Sequence, residues 1–221
     1  MTKTILDTNV LQLMASKICH DLISPIGAIG NGVEFLEDMG ADAIDDAMPL
    51  IKHSATQASA KLQAYRIAYA AGGADGHVKP EDVYKAINGI ISGDGKVTQD
   101  WTPDANMAVP DDHYERPVAY CKFLTCLLLM VLDCLPKGGV LSVAADGNQT
   151  TVTGSGENAG FREQMTDAIK LDLSNDVLEP KHAHAVLTGL LAQNYGYDLS
   201  TQSANDSVSI TITHPKREPI A

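Results

Sequence analysis

The sequence predicts an α+β protein, an antiparallel helical hairpin followed by an α/β sandwich. Three observations predict it. Apolar residues recur at helical spacing from Val10 to Ala71. The run from Phe123 to Leu132 is apolar enough for a buried helix, and two pairs of alternating segments behind it meet at turn signals. At 221 residues the chain accommodates one large domain or two small ones. A polar connection after Gly72-Gly73 divides it into 1–74 and 75–221.

In the first helix, residues set about 100° apart place Leu11, Ile18, Leu22, Ile26, Ile29, Val33 and Leu36 about 160–240° from His20. His20 therefore faces away from the apolar stripe. Within about 40° of it lie Ser16, Ser24, Gly27, Asn31, Glu34 and Asp38, small or polar residues that permit close approach. The second helix, after Gly40, repeats Ile44, Met48, Ile51, Ala55, Ala58, Leu62, Tyr65 and Tyr69 at alternating steps of four and three, the seam of a bundle. Asp42 is its expected N-cap and Gly72-Gly73 its stop. A lone hairpin leaves apolar surface open, so two copies are expected to pair as a four-helix bundle in a homodimer.

Past Lys79 the expected elements follow in order. Pro80 opens a helix to about Ser92, a strand spans Lys96 to Trp101, and an apolar helix runs from about Glu115 to Leu135. Strands Val140 to Ala145 and Gln149 to Gly154 flank the turn Asp146-Gly147-Asn148. Helices from about Phe161 and from Pro180 to Tyr195 precede a last hairpin, Leu199 to Ser203 and Val208 to His214, turning at Asn205-Asp206.

Composition narrows the function. Hydrophobic residues make 44% and charged ones 20%, a globular balance. Sixteen Lys and Arg against 28 Asp and Glu leave a net charge of −12, which repels nucleic acid and anionic lipid and excludes both as expected partners. The longest apolar run is about ten residues, short of the roughly 20 that span a bilayer. The start, MTKTILDTNV, lacks the apolar stretch of a signal peptide, so a cytoplasmic protein is expected. Cys19, Cys121, Cys126 and Cys134 form no CxxC pair and read as reduced, mostly buried thiols, with Cys19 packed at a rim. His182 and His184, at i and i+2, share no helix face and read as surface residues; His53, His77, His113 and His214 have no partner at ligand spacing, so no metal site is expected.

The chemistry concentrates in Cys19-His20-Asp21-Leu22-Ile23-Ser24-Pro25. A neutral imidazole offers a ring nitrogen as a nucleophile toward phosphorus. Asp21, about 100° round the helix, is placed to accept a hydrogen bond from the other ring N–H or to act on the incoming group. Pro25 lacks the N–H that would bond the Asp21 carbonyl, and so loosens the helix one turn later.

The segment KICHDLISPIGAIGNGVEFL resembles the phosphoacceptor box of histidine kinases, and more closely that of the ChpT-type histidine phosphotransferases of alphaproteobacterial phosphorelays. Tyr65-Arg66-Ile67-Ala68-Tyr69-Ala70-Ala71-Gly72 resembles the segment that closes the hairpin in that family. The resemblance implies that His20 is phosphorylated, that Asp21 assists it, and that Ser24, Gly27, Asn31 and Arg66 meet a receiver domain. It also implies that 75–221 is a degenerate histidine-kinase ATPase domain of the Bergerat or GHKL type. Leu135-Pro136-Lys137-Gly138-Gly139-Val140 fits the end of that family's Asn-box, yet Met130 stands at the metal-anchoring Asn. Val152-Thr153-Gly154-Ser155-Gly156 keeps the glycines, yet Val152 stands at the adenine-reading Asp. Such losses remove several kcal/mol of polar recognition, so no nucleotide cofactor is expected.

The resemblance thus implies a dimeric phosphotransferase moving a phosphoryl group through His20 between receiver aspartates, from a hybrid histidine kinase to response regulators. The partner receiver is expected to supply Mg²⁺. Two alternatives stand beside it: a divergent ATP-dependent histidine kinase, and a non-enzymatic module that binds response regulators.

Overall fold

A computed structural model describes residues 8–70, 77–93, 95–104, 107–109 and 116–215. The expected Gly72-Gly73 stop, His113 and the start of the apolar helix at Glu115 lie outside the described residues.

Helix α1 spans Thr8–Met39 and α2 spans Ile44–Tyr69, and they pack antiparallel as a hairpin. Between them Gly40–Ala43 forms a turn of 3₁₀ helix, with Gly40 at φ +68° reversing the chain. Asp42 falls inside that turn and does not cap α2, whose N-cap residue is Ala43 with no side-chain cap. The tight 3₁₀ turn already carries the chain into helical geometry, which leaves no extended residue for a side-chain cap.

The apolar stripe of α1 is only half used within the chain. Met14, Pro25 and Gly32 are buried on one flank, about 120–140° from His20, while Leu11, Ile26 and Val33 on the other stay exposed. Gly32 sits under α2 so closely that a Cβ there would lie 2.6 Å from Ile51. The α2 seam divides likewise: Ala58 and Tyr65 are buried, whereas Ile44, Met48 and Leu62 are exposed.

The remainder is a five-stranded sheet with helices against it. Helix α3 is Pro80–Ile91, β1 is Val97–Gln99, α4 is Tyr120–Leu132, β2 is Gly139–Asp146 and β3 is Gln149–Ser155. Helix α5 is Met165–Lys170, α6 is Ala183–Tyr195, β4 is Asp198–Ala204 and β5 is Ser207–Thr213. The strand order is β1-β2-β3-β5-β4, with β1 parallel to β2 and every other pair antiparallel. Strand β1 ends before Trp101, whose indole N–H donates to the Gln99 side chain at 2.9 Å and whose ring meets Tyr84 edge-on. The helix expected from Phe161 begins at Met165, and the first turn of the helix expected from Pro180 is 3₁₀.

Helix α4 is the centre of the core. Tyr120 through Val131 are all buried, between α2, α3 and α6 and the sheet. Ala64, Tyr65, Ile67 and Ala68 at the end of α2 belong to the same apolar cluster, so the hairpin is rooted in the second region. Lys122, buried in α4, donates to the Ala70 carbonyl at 2.9 Å and closes the C-terminal end of α2 with a positive charge.

The glycines that resemble a nucleotide loop have a packing role. A Cβ on Gly139 would stand 2.2 Å from the Ser155 carbonyl oxygen, and one on Gly156 would stand 2.2 Å from that of Gly138. These backbones cross where β2 leaves its turn beside the end of β3, and only glycine permits the approach.

Candidate functional site

His20 lies about three turns into α1, with 85% of its side chain in solvent. The neighbouring Asp21 side chain is only 14% exposed, because the helix turns it toward α2. His20 Nδ1 is 3.3 Å from Asp21 Oδ1. Asp21 Oδ2 accepts the Tyr65 hydroxyl from α2, and Lys17, one turn earlier on α1, stands 3.1 Å from Oδ1 and 2.8 Å from Oδ2. Burial works against the charge on this carboxylate. The hydrogen bonds from Lys17 and Tyr65 outweigh it and hold the group below the usual carboxylate range. An ionised carboxylate only accepts, so the His20–Asp21 contact requires a proton on Nδ1, and in the neutral ring the unprotonated nitrogen is then Nε2.

Pro25 is buried within α1, which stays helical through it. The Asp21 carbonyl that it leaves without an amide partner is taken by Lys61 of α2, at 3.0 Å. The loosening expected after the proline is offset by this bond from the second helix.

Behind Asp21 an aromatic ladder crosses from the hairpin to α6. Tyr65 and Tyr69 stack with centroids 5.9 Å apart, and His184 lies 5.7 Å from each ring. The Tyr69 hydroxyl is hydrogen-bonded to His184 Nδ1. Burial pushes His184 down to about 4, so it is neutral. Burial pushes both tyrosines above the ordinary phenol range, with the Asp21 carboxylate adding to the effect at Tyr65. A second link joins Lys17 to Asp133 at the end of α4, at 3.9 Å.

The other expected contact residues take simple positions. Ser24, Gly27 and Asn31 are exposed along the His20 face, and a Cβ on Gly27 or Gly30 would meet nothing within 4 Å. Ser24 also borders a groove of about 290 Å³ lined by Pro25 and Ala28 of α1 and by His53, Gln57 and Lys61 of α2. Arg66 is exposed on α2, one residue beyond Tyr65. Met130 and Val152 are fully buried, the first among the leucines of α4 and the second in β3.

Three surface expectations are overturned. His182 and His184 are buried, because the turn before α6 folds under α1 and packs beside Leu13 and Met14. Cys19 is exposed, since α1 turns it away from α2; Cys121, Cys126 and Cys134 are buried. Among the described residues no group of three or more His, Cys, Asp or Glu is arranged to hold a metal ion, and no helix is long and apolar enough to cross a membrane.

Sequence reasoning missed Lys17, Lys61 and His184, and placed Tyr65 only in the seam. The i,i+4 spacing of Lys17 and Asp21 is a signal that finds the first. Nothing in the sequence pairs Lys61 or Tyr65, forty or more residues away, with Asp21.

A hairpin with an exposed histidine beside a half-buried carboxylate, rooted in an α/β region, is the arrangement of a class of phosphoryl-transfer proteins. Known proteins place the chain within it. Residues 80–207 match the histidine phosphotransferase C-terminal domain family. The protein phosphotransferase ChpT of Brucella abortus (strain 2308) is 34% identical over 204 residues, covering 89% of this chain and 91% of that one. A solved bacterial phosphotransferase superposes with a TM-score of 0.72 at 27% identity, covering 95% of this chain and 98% of that one. The chain belongs to the histidine phosphotransferase family and is a phosphotransferase.

Proposed function

We propose that the protein is a phosphorelay intermediate in which His20 takes a phosphoryl group from the aspartyl phosphate of a receiver domain and passes it to the aspartate of another. The observation that carries this reading is the exposed His20 imidazole with Nδ1 on Asp21, which turns Nε2 toward an incoming group. In the forward step the Nε2 lone pair forms the N–P bond, the acyl P–O bond breaks, and the receiver carboxylate leaves. The product is a phospho-imidazolium whose Nδ1–H stays on Asp21, and the half-buried, doubly donated carboxylate balances that charge. Return transfer to a second receiver runs the same path backwards.

The receiver supplies the Mg²⁺ and the cation that neutralise the moving group; this chain contributes position and a nucleophile. Ser24, Gly27, Asn31 and Arg66 form the surface on which the receiver seats, and the bare Gly27 and Gly30 positions admit its loops. The upstream receiver belongs to a hybrid histidine kinase and the downstream ones to response regulators, all in the cytoplasm. No nucleotide is bound. Met130 and Val152, buried and apolar, support that reading, because neither offers a donor or acceptor to a metal, phosphate or base. A second copy of the chain covers Leu11, Ile26, Val33, Ile44, Met48 and Leu62, making a four-helix bundle.

Transfer from a radiolabelled phosphorylated receiver with Mg²⁺ and no ATP tests this. Acid-labile, base-stable label is expected on the wild type and on neither His20→Ala nor His20→Gln. Label retained by a docked receiver makes the protein a binding module. Saturable micromolar binding in a nucleotide titration makes it a divergent kinase.

A further inference from the structure

We propose that Tyr65 is a positioning residue for phosphotransfer: its hydroxyl, given to Oδ2 of Asp21, turns the carboxylate so that Oδ1 faces His20 Nδ1 and keeps Nε2 unprotonated. The inference rests on reading His20 as the phosphoacceptor. An aspartate carboxylate rotates over a broad torsional well, and a bond from the exposed imidazole at 3.3 Å is too weak to stop it. Lys17 alone does not settle the orientation either, because its ammonium lies within reach of both oxygens, at 3.1 and 2.8 Å. The Tyr65 hydroxyl reaches Oδ2 from the opposite helix, and so breaks the symmetry between the two oxygens.

Tyr65 is suited to this by its own fixation. Its ring is buried, stacked on Tyr69 at an interplanar angle of 25° and tilted against His184, and Tyr69 is held in turn by its bond to the His184 ring. The hydroxyl also stays protonated, since burial and the adjacent carboxylate both oppose its ionisation, so it remains a donor at any working pH. The charged or titratable groups around Asp21 are Lys17 and His20 on α1, Lys61 at its backbone carbonyl, and Asp133 beyond Lys17. None of them substitutes for the phenol on Oδ2 from the α2 side. In this arrangement α6 acts on the phosphoacceptor through two rings and one carboxylate.

The test uses the full chain with ¹⁵N-labelled histidine, comparing wild type with Tyr65→Phe, which keeps the ring and removes the hydroxyl. At pH 8, two-bond ¹H–¹⁵N spectra are expected to show wild-type His20 mainly as the Nδ1–H tautomer and the variant shifted toward Nε2–H. Single-turnover transfer from a phosphorylated receiver is expected to slow roughly ten- to hundredfold in the variant, with its helix content and receiver affinity unchanged. A variant with wild-type tautomer and wild-type rate overturns the proposal. Should Tyr65→Phe not fold, the wild-type spectrum decides alone, since His20 in the Nε2–H form overturns it and the Nδ1–H form supports it. A wild type that accepts no phosphate overturns the phosphoacceptor reading instead, and the tautomer comparison still judges Tyr65.

Discussion

Lys61 Nζ stands 3.0 Å from the carbonyl oxygen of Asp21, the oxygen that Pro25 deprives of its helical amide partner. A proline one turn past His20 would otherwise leave a half-buried carbonyl unbonded and α1 free to bend. The lysine thus secures the helix at the residue next to His20.

Lys61→Met is therefore expected to destabilise the protein by about 1–2 kcal/mol, the scale of a charged hydrogen bond to a carbonyl left unmade. In a Pro25→Ala background, which restores the amide donor, the same substitution is expected to cost less. A double-mutant cycle in urea measures the coupling, and strictly additive effects contradict the assignment.

His184 makes stability depend on pH. Burial lowers its folded pKa to about 4, against about 6.5 in an unfolded chain, so below 6.5 the unfolded state binds the extra proton. The stabilisation is complete above about pH 6.5 and is lost as pH falls toward 4, up to about 3 kcal/mol in all. Urea melts across that window are expected to show a slope that His184→Asn reduces. Equal slopes would mean that the Tyr69–His184 contact does not need a neutral ring.

Gly27 separates stability from docking. Because a Cβ there meets nothing within 4 Å, Gly27→Ala is expected to stabilise α1 by about 0.5–1 kcal/mol. Gly27→Phe is expected to fold equally well and to slow uptake of phosphate from a receiver, since the ring occupies the approach to His20. Thermal melts and transfer rates on the same samples read both effects.

The proposed four-helix bundle makes the oligomeric state depend on the exposed flank of the hairpin. Light scattering at micromolar concentration is expected to give twice the chain mass for the wild type. Val33→Asp combined with Met48→Asp places charges on that flank and is expected to give the chain mass with helix content kept. A monomeric wild type would contradict the four-helix bundle.

The hairpin, the buried α4, both antiparallel strand pairs and the exposed His20 were legible in the sequence, because each is set by local periodicity or turn chemistry. Helical spacing places Leu22 opposite His20 whatever α1 packs against, and Gly147 permits its turn whatever lies beyond. The Lys17–Asp21 pair is equally local. Tertiary structure alone decided the rest. The burial of His182 and His184 depends on the turn before α6 folding under α1, and periodicity carries no record of which surfaces meet. The capture of Asp21 by Tyr65 and Lys61 depends on how two antiparallel helices align, which the long-range packing of Gly32 under Ile51 and of Ala64 and Ala68 into the α4 core determines. The sequence by itself therefore singled out the exposed histidine and its carboxylate neighbour. The direction in which that carboxylate points was decided by contacts between residues more than forty positions apart.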